Sequence, residues 1–232
     1  KHSYTFIAEA EKVLRTSIAI DNAPMSSILL AETLIAQKKQ LDEAEQLLRQ
    51  VLTLPDLDPA ESTLAEAGLG HIAQDQENYE QALQHYQRAV EISPDLPGMW
   101  FNIGLMQRQL GQLEEAEASH MRSLDEDPTE TGAYIDLAGI YTDSGDFKAA
   151  EEVLEEGIEI NPDAAELLAA MALVYINKGD LRHAKEYLDD AEDIDEELDI
   201  VQAVHGYYDD ARQAQQQQPQ KQKGKSRKFK KK

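Results

Sequence analysis

Apolar side chains along this chain recur at helical spacing, and the pattern itself recurs. In residues 131–164, Tyr134, Leu137, Ala138 and Tyr141 form one stripe at three- and four-residue steps. Phe147, Ala150, Val153, Leu154, Gly157, Ile158 and Ile160 form a second. Gly145 separates them and fits the left-handed residue that closes a helix, because glycine has no Cβ to clash there. Asp146 follows as a helix N-cap, as do Asp180 after Gly179 and Asn78 after Glu77. Pro162 ends the second stripe, since proline has no amide hydrogen to donate. The spacing predicts two antiparallel helices.

The same unit returns every 34 residues. Gly70, Gly104, Ala138 and Ala172 share one column, and Ala82, Ala116, Ala150 and Ala184 a second. Pro94, Pro128 and Pro162 make a third, and Gly111, Gly145 and Gly179 a fourth. Helices about 8–10 Å apart need small side chains where they approach most closely. Gly104 is therefore expected to face Ala116, and Ala138 to face Ala150.

The register divides the chain into five repeats, at residues 25–58, 63–96, 97–130, 131–164 and 165–198, with Pro59 to Ser62 left over. Residues 1–24 read as the second half of an incomplete repeat, carrying an uncovered apolar face of Ile7, Val13, Leu14 and Ile18. Such a face, with Lys1 rather than Met opening the chain, fits a product lacking upstream residues. Residues 199–210 read as a capping helix through Val201, Val204, Tyr207 and Tyr208, and residues 211–232 as a disordered Gln/Lys-rich tail.

Charge sharpens this division. All 45 acidic residues precede position 211, with 13 of the 22 basic ones, so the body carries −32 and the tail +9. A body of that sign repels nucleic acid and anionic membrane, and the tail attracts both. With no cysteine in 232 residues, a disulfide framework, a thiolate metal site and a cysteine nucleophile are excluded.

Motifs for chemistry are absent or misplaced. No His-Glu-x-x-His, phosphate-binding loop or Gly-x-Ser-x-Gly occurs. Gly68-Leu69-Gly70-x-x-Ala73 mimics a dinucleotide fingerprint but lies inside a helical stripe, with no strand before it. Asp125-x-Asp127 resembles the start of a calcium loop, yet Glu130 stands where that loop needs glycine. His120 sits in a core column, where packing is the simpler role. The chain reads as non-catalytic, without cofactor or metal.

With these columns in place, the chain resembles the tetratricopeptide repeat family, whose pattern is W-x2-L-G-x2-Y…A-x3-F…P over 34 residues. Residues 97–130 match through Trp100, Ile103, Gly104, Ala116 and Pro128, with Gln107 and His120 departing from the aromatic places. Residues 131–164 match through Tyr134, Leu137, Ala138, Tyr141, Ala150, Leu154 and Pro162. In residues 63–96, Glu66 replaces the first aromatic. The resemblance implies an all-α, right-handed superhelical solenoid of antiparallel helix hairpins, ending in a C-terminal capping helix.

It also implies a concave groove lined by the first helix of each repeat, which binds a peptide or partner helix. Carried over by position, the groove residues are His71, Phe101, Asn102, Leu105, Arg108, Gln109, Ile135, Asp136, Thr142, Leu173 and Ile176. Leu64, Ala67, Gly68, Gln74, Asp75, Gly139, Asp143, Glu166, Ala169, Ala170 and Asn177 hold equivalent places. The carboxylate clamp of one subfamily does not fit, because Asp136 stands where arginine is required. Apolar in the middle with acidic and amide edges, the groove suits a protein segment with apolar anchors and some basic residues.

A non-enzymatic adaptor in the cytoplasm is the first expectation. An alternative makes the tail the working part, with Lys221, Lys223, Lys225, Arg227, Lys228, Lys230, Lys231 and Lys232 holding RNA, a ribosome or another polyanion. A third reading is a repeat segment of a larger enzyme or assembly.

Overall fold

The computed structural model describes residues 2–21, 23–94 and 96–228, the side chains of 2–8, 21 and 218–228 excepted. The described residues are helical throughout, without a strand. The helices are α1 (His2–Asp21), α2 (Pro24–Ala36), α3 (Leu41–Val51), α4 (Pro59–Asp75), α5 (Tyr79–Ile92) and α6 (Met99–Gln109), then α7 (Leu113–Glu126), α8 (Thr131–Ser144), α9 (Phe147–Ile160), α10 (Ala165–Lys178), α11 (Leu181–Asp195) and α12 (Asp199–Lys228). None is long and apolar enough to cross a membrane. Two compact units form, residues 1–119 and 120–232, with the boundary inside α7.

The expected hairpins are present as α2/α3, α4/α5, α8/α9 and α10/α11. Their turns follow from the predicted punctuation. Gly145 and Gly179 both sit at φ 82°, in the left-handed region. The amide of each following aspartate then reaches back into the finished helix: Asp146 N–H to Tyr141 O at 2.8 Å, and Asp180 N–H to Tyr175 O at 2.9 Å. The two aspartates also cap the next helix, accepting from the amides of Ala149 (3.1 Å) and His183 (3.3 Å). Asn78 occupies the same position before α5, but its side chain makes no cap bond.

In unit 1, Ile28, Leu30, Leu34, Leu48 and Ile72 form one core, and Leu83, Tyr86, Met99, Ile103 and Met106 another. The half-repeat α1 is tied on firmly. Leu14 and Ile18 pack against the first core, while Val13 of the expected face stays exposed, as does Ile20. Ile7 lies outside the described side chains. Arg15 also grips both carboxylate oxygens of Glu43 on α3, at 2.5 and 3.0 Å, and holds that carboxyl below its usual pKa. The four extra residues 59–62 form the first turn of α4. Asp58 accepts from Ala60 N–H at 2.8 Å and Pro59 takes the first helical position, so the helix starts four residues early.

In unit 2, Tyr134, Leu154, Leu167 and Met171 pack together, and Ala184, Leu188, Val201, Val204 and Tyr208 make a second core shared by α10, α11 and α12. The first turns of α12 thus cover the last hairpin. The helix does not stop at residue 210 as expected. It runs to Lys228, through most of the segment expected to be disordered. Ala, Gln, Lys and Arg in this stretch are good helix formers, while Pro219 and Gly224 inside it work against the extension.

The small columns are buried: Ala82, Ala116 and Ala150 are fully enclosed and Ala138 nearly so. At two glycines the partner is a ring rather than another small residue. A Cβ on Gly70 would lie 2.5 Å from Cε1 of Tyr86, and one on Gly157 2.8 Å from Cγ of Tyr134. Gly206, on α12, has nothing within 4 Å. Gly157→Ala is expected to destabilise, because overpacking of about 1–3 kcal/mol exceeds the gain of up to about 1 kcal/mol in helix propensity. Gly206→Ala, which brings only the propensity gain, is expected to stabilise. Urea unfolding followed by circular dichroism checks the opposite signs.

Candidate functional site

The residues assigned to the groove divide between the two units. In unit 1, α4 turns Ala67 and Gly68 inward. Ala67 is 6% exposed, and a Cβ on Gly68 would meet Leu48 Cδ1 at 2.8 Å. These two belong to the interior and offer nothing to a ligand. Leu64 packs on the first core and Leu105 on the second, each half-buried. Gln74 accepts the Tyr86 hydroxyl at 2.7 Å, and Asp75 pairs with Lys38 at 3.2 Å. His71 and Gln109 are exposed, and Phe101, Asn102 and Arg108 half-buried.

Unit 2 departs further from the expectation. Asp136 points at α7, its carboxylate 3.8 Å from Nε2 of the fully buried His120, with a side chain only 13% exposed. Ile135 packs on the Tyr134 core. Gly139 and Thr142 are half-buried and Asp143 is exposed. On α10, Ala169 and Ala170 are buried, and Leu173 and Ile176 pack on the core that α12 completes. Glu166 accepts from the Thr131 hydroxyl at 3.0 Å, and the Asn177 amide donates to Leu173 O at 2.9 Å. The α10 face is therefore partly covered by the chain itself, because α12 carries Val201, Val204 and Tyr208 at the spacing that buries them there.

Of the basic tail, Lys221, Lys223, Lys225, Arg227 and Lys228 lie on the backbone of α12. Lys230, Lys231 and Lys232 lie outside the described residues.

Sequence reasoning missed one buried charged cluster. Nδ1 of His85 lies 2.6 Å from Glu66 Oε2, with side chains 10% and 11% exposed, and Arg88 stands 3.9 Å from Glu66 Oε1. The signal was available: Glu66 replaces an aromatic residue, and a carboxylate put at a core place needs a buried donor. Gln107 follows the same rule, accepting the Ser119 hydroxyl at 2.6 Å. Asp127, read as a possible calcium ligand, instead accepts from the Thr129 amide (2.9 Å) and hydroxyl (2.6 Å). Those bonds hold its carboxyl below the ordinary pKa. Gly68-Leu69-Gly70 lies within α4, as the helix reading required.

Comparison with known proteins agrees with this architecture. Tetratricopeptide repeat profiles match residues 107–173 and 141–206, and a further TPR repeat profile matches residues 70–111. The chain belongs to the tetratricopeptide repeat family. No curated protein sequence matches it. Among solved structures, a tetratricopeptide repeat protein from Parabacteroides merdae ATCC 43184 aligns with TM-score 0.73 and 17% identity, over 90% of this chain and 82% of that one. PilW, described as a widely conserved type IV pilus biogenesis factor, aligns with TM-score 0.71 and 18% identity, over 88% and 92%. YrrB, described as a TPR protein with an unusual peptide-binding site, aligns with TM-score 0.61 and 19% identity, over 83% and 97%. At these identities the likeness is one of fold.

The electrostatics of the unit 1 face is testable at His71. Its ring stands edge-on to Tyr86, centroids 5.5 Å apart, and burial of that side lowers its pKa against the opposing pull of Asp75. A lowered folded-state pKa means that the unfolded chain binds more protons, so stability falls as pH drops through the ordinary histidine range. His71→Phe is expected to lose less stability than the parent between about pH 7.5 and about pH 5.5. Urea midpoints at the two pH values check this.

Proposed function

We propose that this tetratricopeptide repeat chain is a non-enzymatic interaction scaffold that holds a protein segment against the first-helix face of unit 1. Phe101 carries the reading. Its neighbours Met99, Ile103 and Met106 on α6 are buried, while its own side chain keeps partial exposure, at a place where the family register puts groove residues. A large aromatic side chain held at a helix surface is an efficient anchor, because it buries much area for little lost freedom. Asn102, Arg108 and Gln109 on α6 and His71 on α4 add amide, cationic and imidazole groups to the same unit. The likeness to YrrB supports the reading, since that protein is described by its peptide-binding site. The corresponding face of α10 in unit 2 is left out, because α12 already packs on part of it.

The ligand this face fits is an extended or helical segment with an apolar anchor for Phe101. Basic residues in that segment gain from the acidic body, whose charge of −32 speeds the approach of cations and weakens with salt. The full chain as bait should retain a partner that the Phe101→Glu variant does not, with unchanged far-UV circular dichroism. Loss of one such anchor, worth about 1.5–3 kcal/mol, weakens binding by roughly ten- to a hundredfold. Equal capture by both proteins would remove this face from the function.

A further inference from the structure

A second surface lies in unit 2, away from the first-helix places. α7, α8 and α9 enclose an open cleft of about 330 Å³. Its apolar floor includes Met121, Leu124 and Val153, and Asp125, Glu152 and Glu156 stand among its lining residues. Met121 is 55% exposed, high for a methionine on a helix. Lys148 bonds to Glu152 from within α9. The cleft is therefore an apolar floor with a predominantly acidic edge.

The chain carries the complement of this surface. Residues 225–232 read Lys-Ser-Arg-Lys-Phe-Lys-Lys-Lys, one aromatic side chain among six basic ones, in a tail with no acid. α12 runs into this segment as far as Lys228. Gln215 donates to Gly179 O at 3.3 Å, and residues 212–217 are exposed. From Gln215 to Lys228 the helix rises about 20 Å, while the four residues after it span at most roughly 14 Å when extended.

We propose that the α7–α8–α9 cleft receives residues 227–232 of a second copy of this chain, with the Phe229 ring on the Met121–Leu124–Val153 floor and Arg227, Lys228 and Lys230 against Asp125, Glu152 and Glu156. The contact is head-to-tail: each copy offers one tail and one cleft, so it closes into rings or runs on as an open chain. It pairs the single basic segment with the −32 body of another molecule, and so it weakens as salt rises. It is independent of Phe101 and of the unit 1 face.

Sedimentation velocity of the full chain at roughly 1–100 μM, the range one aromatic anchor with charged flanks supports, should show mass rising with concentration at low salt and falling back at high salt. Phe229→Ser, in the tail, cannot disturb the body. Met121→Glu, at a half-exposed position, should leave the circular dichroism unchanged. Each is expected to weaken association about tenfold or more. A labelled peptide of residues 219–232 should bind the full chain, and Met121→Glu should lose that binding while Phe101→Glu keeps it. A chain that stays monomeric throughout overturns the proposal. So does association that survives both variants. A tail peptide that shifts a single-stranded RNA 20-mer but not the protein assigns the tail to a polyanion instead, and also overturns it.

Discussion

Two helices can approach only as closely as the side chains between them permit, and here aromatic rings set that limit. Tyr86 and Tyr134 are almost completely enclosed, and each ring lies where Gly70 or Gly157 leaves the space of a missing Cβ. The ring fills the gap that the glycine opens, and its hydroxyl still finds an acceptor, Gln74 for Tyr86 and Pro128 O for Tyr134. The arrangement occurs once in each unit. Without the small residue the ring has no seat, and without the ring the small residue leaves a void.

Where the aromatic places are filled by polar residues, the interior compensates locally. Glu66 is met by His85, Gln107 by Ser119, and His120 faces Asp136. Each partner comes from the helix packed opposite, so the exchange is settled across one interface. A buried polar group left alone costs more than the contact it replaces, which is why these departures come in pairs. The third pairing also has a functional consequence. It turns Asp136 toward α7 rather than toward a ligand, and it removes from unit 2 one of the acidic groups that the repeat register assigned to a groove.

The candidate groove was legible as a set of positions but not as a surface. The register named Phe101, Asn102, Arg108 and His71, and these keep access to water in unit 1. It named Leu173 and Ile176 equally, and they are half-buried against a core that α12 completes. Nothing local to α10 distinguishes the two cases, because an apolar side chain at a helix surface looks the same whether a ligand or a later helix covers it. The α7–α8–α9 cleft was invisible for the opposite reason. Met121, Leu124 and Val153 belong to no repeat column that the family marks for binding, and they meet only when three helices are packed.

Period and chemistry along the chain were enough to determine that it is all helix, that hairpins repeat every 34 residues, and where most of them turn. Those properties rest on interactions within a few residues: stripes at helical spacing, glycine at positive φ and aspartate over free amides. Tertiary packing alone decided that α12 packs on α10 and which acidic residues turn inward. These outcomes depend on which distant segment arrives to exclude water. That competition for buried area is not written at any single position, so it becomes readable only once the helices are in place.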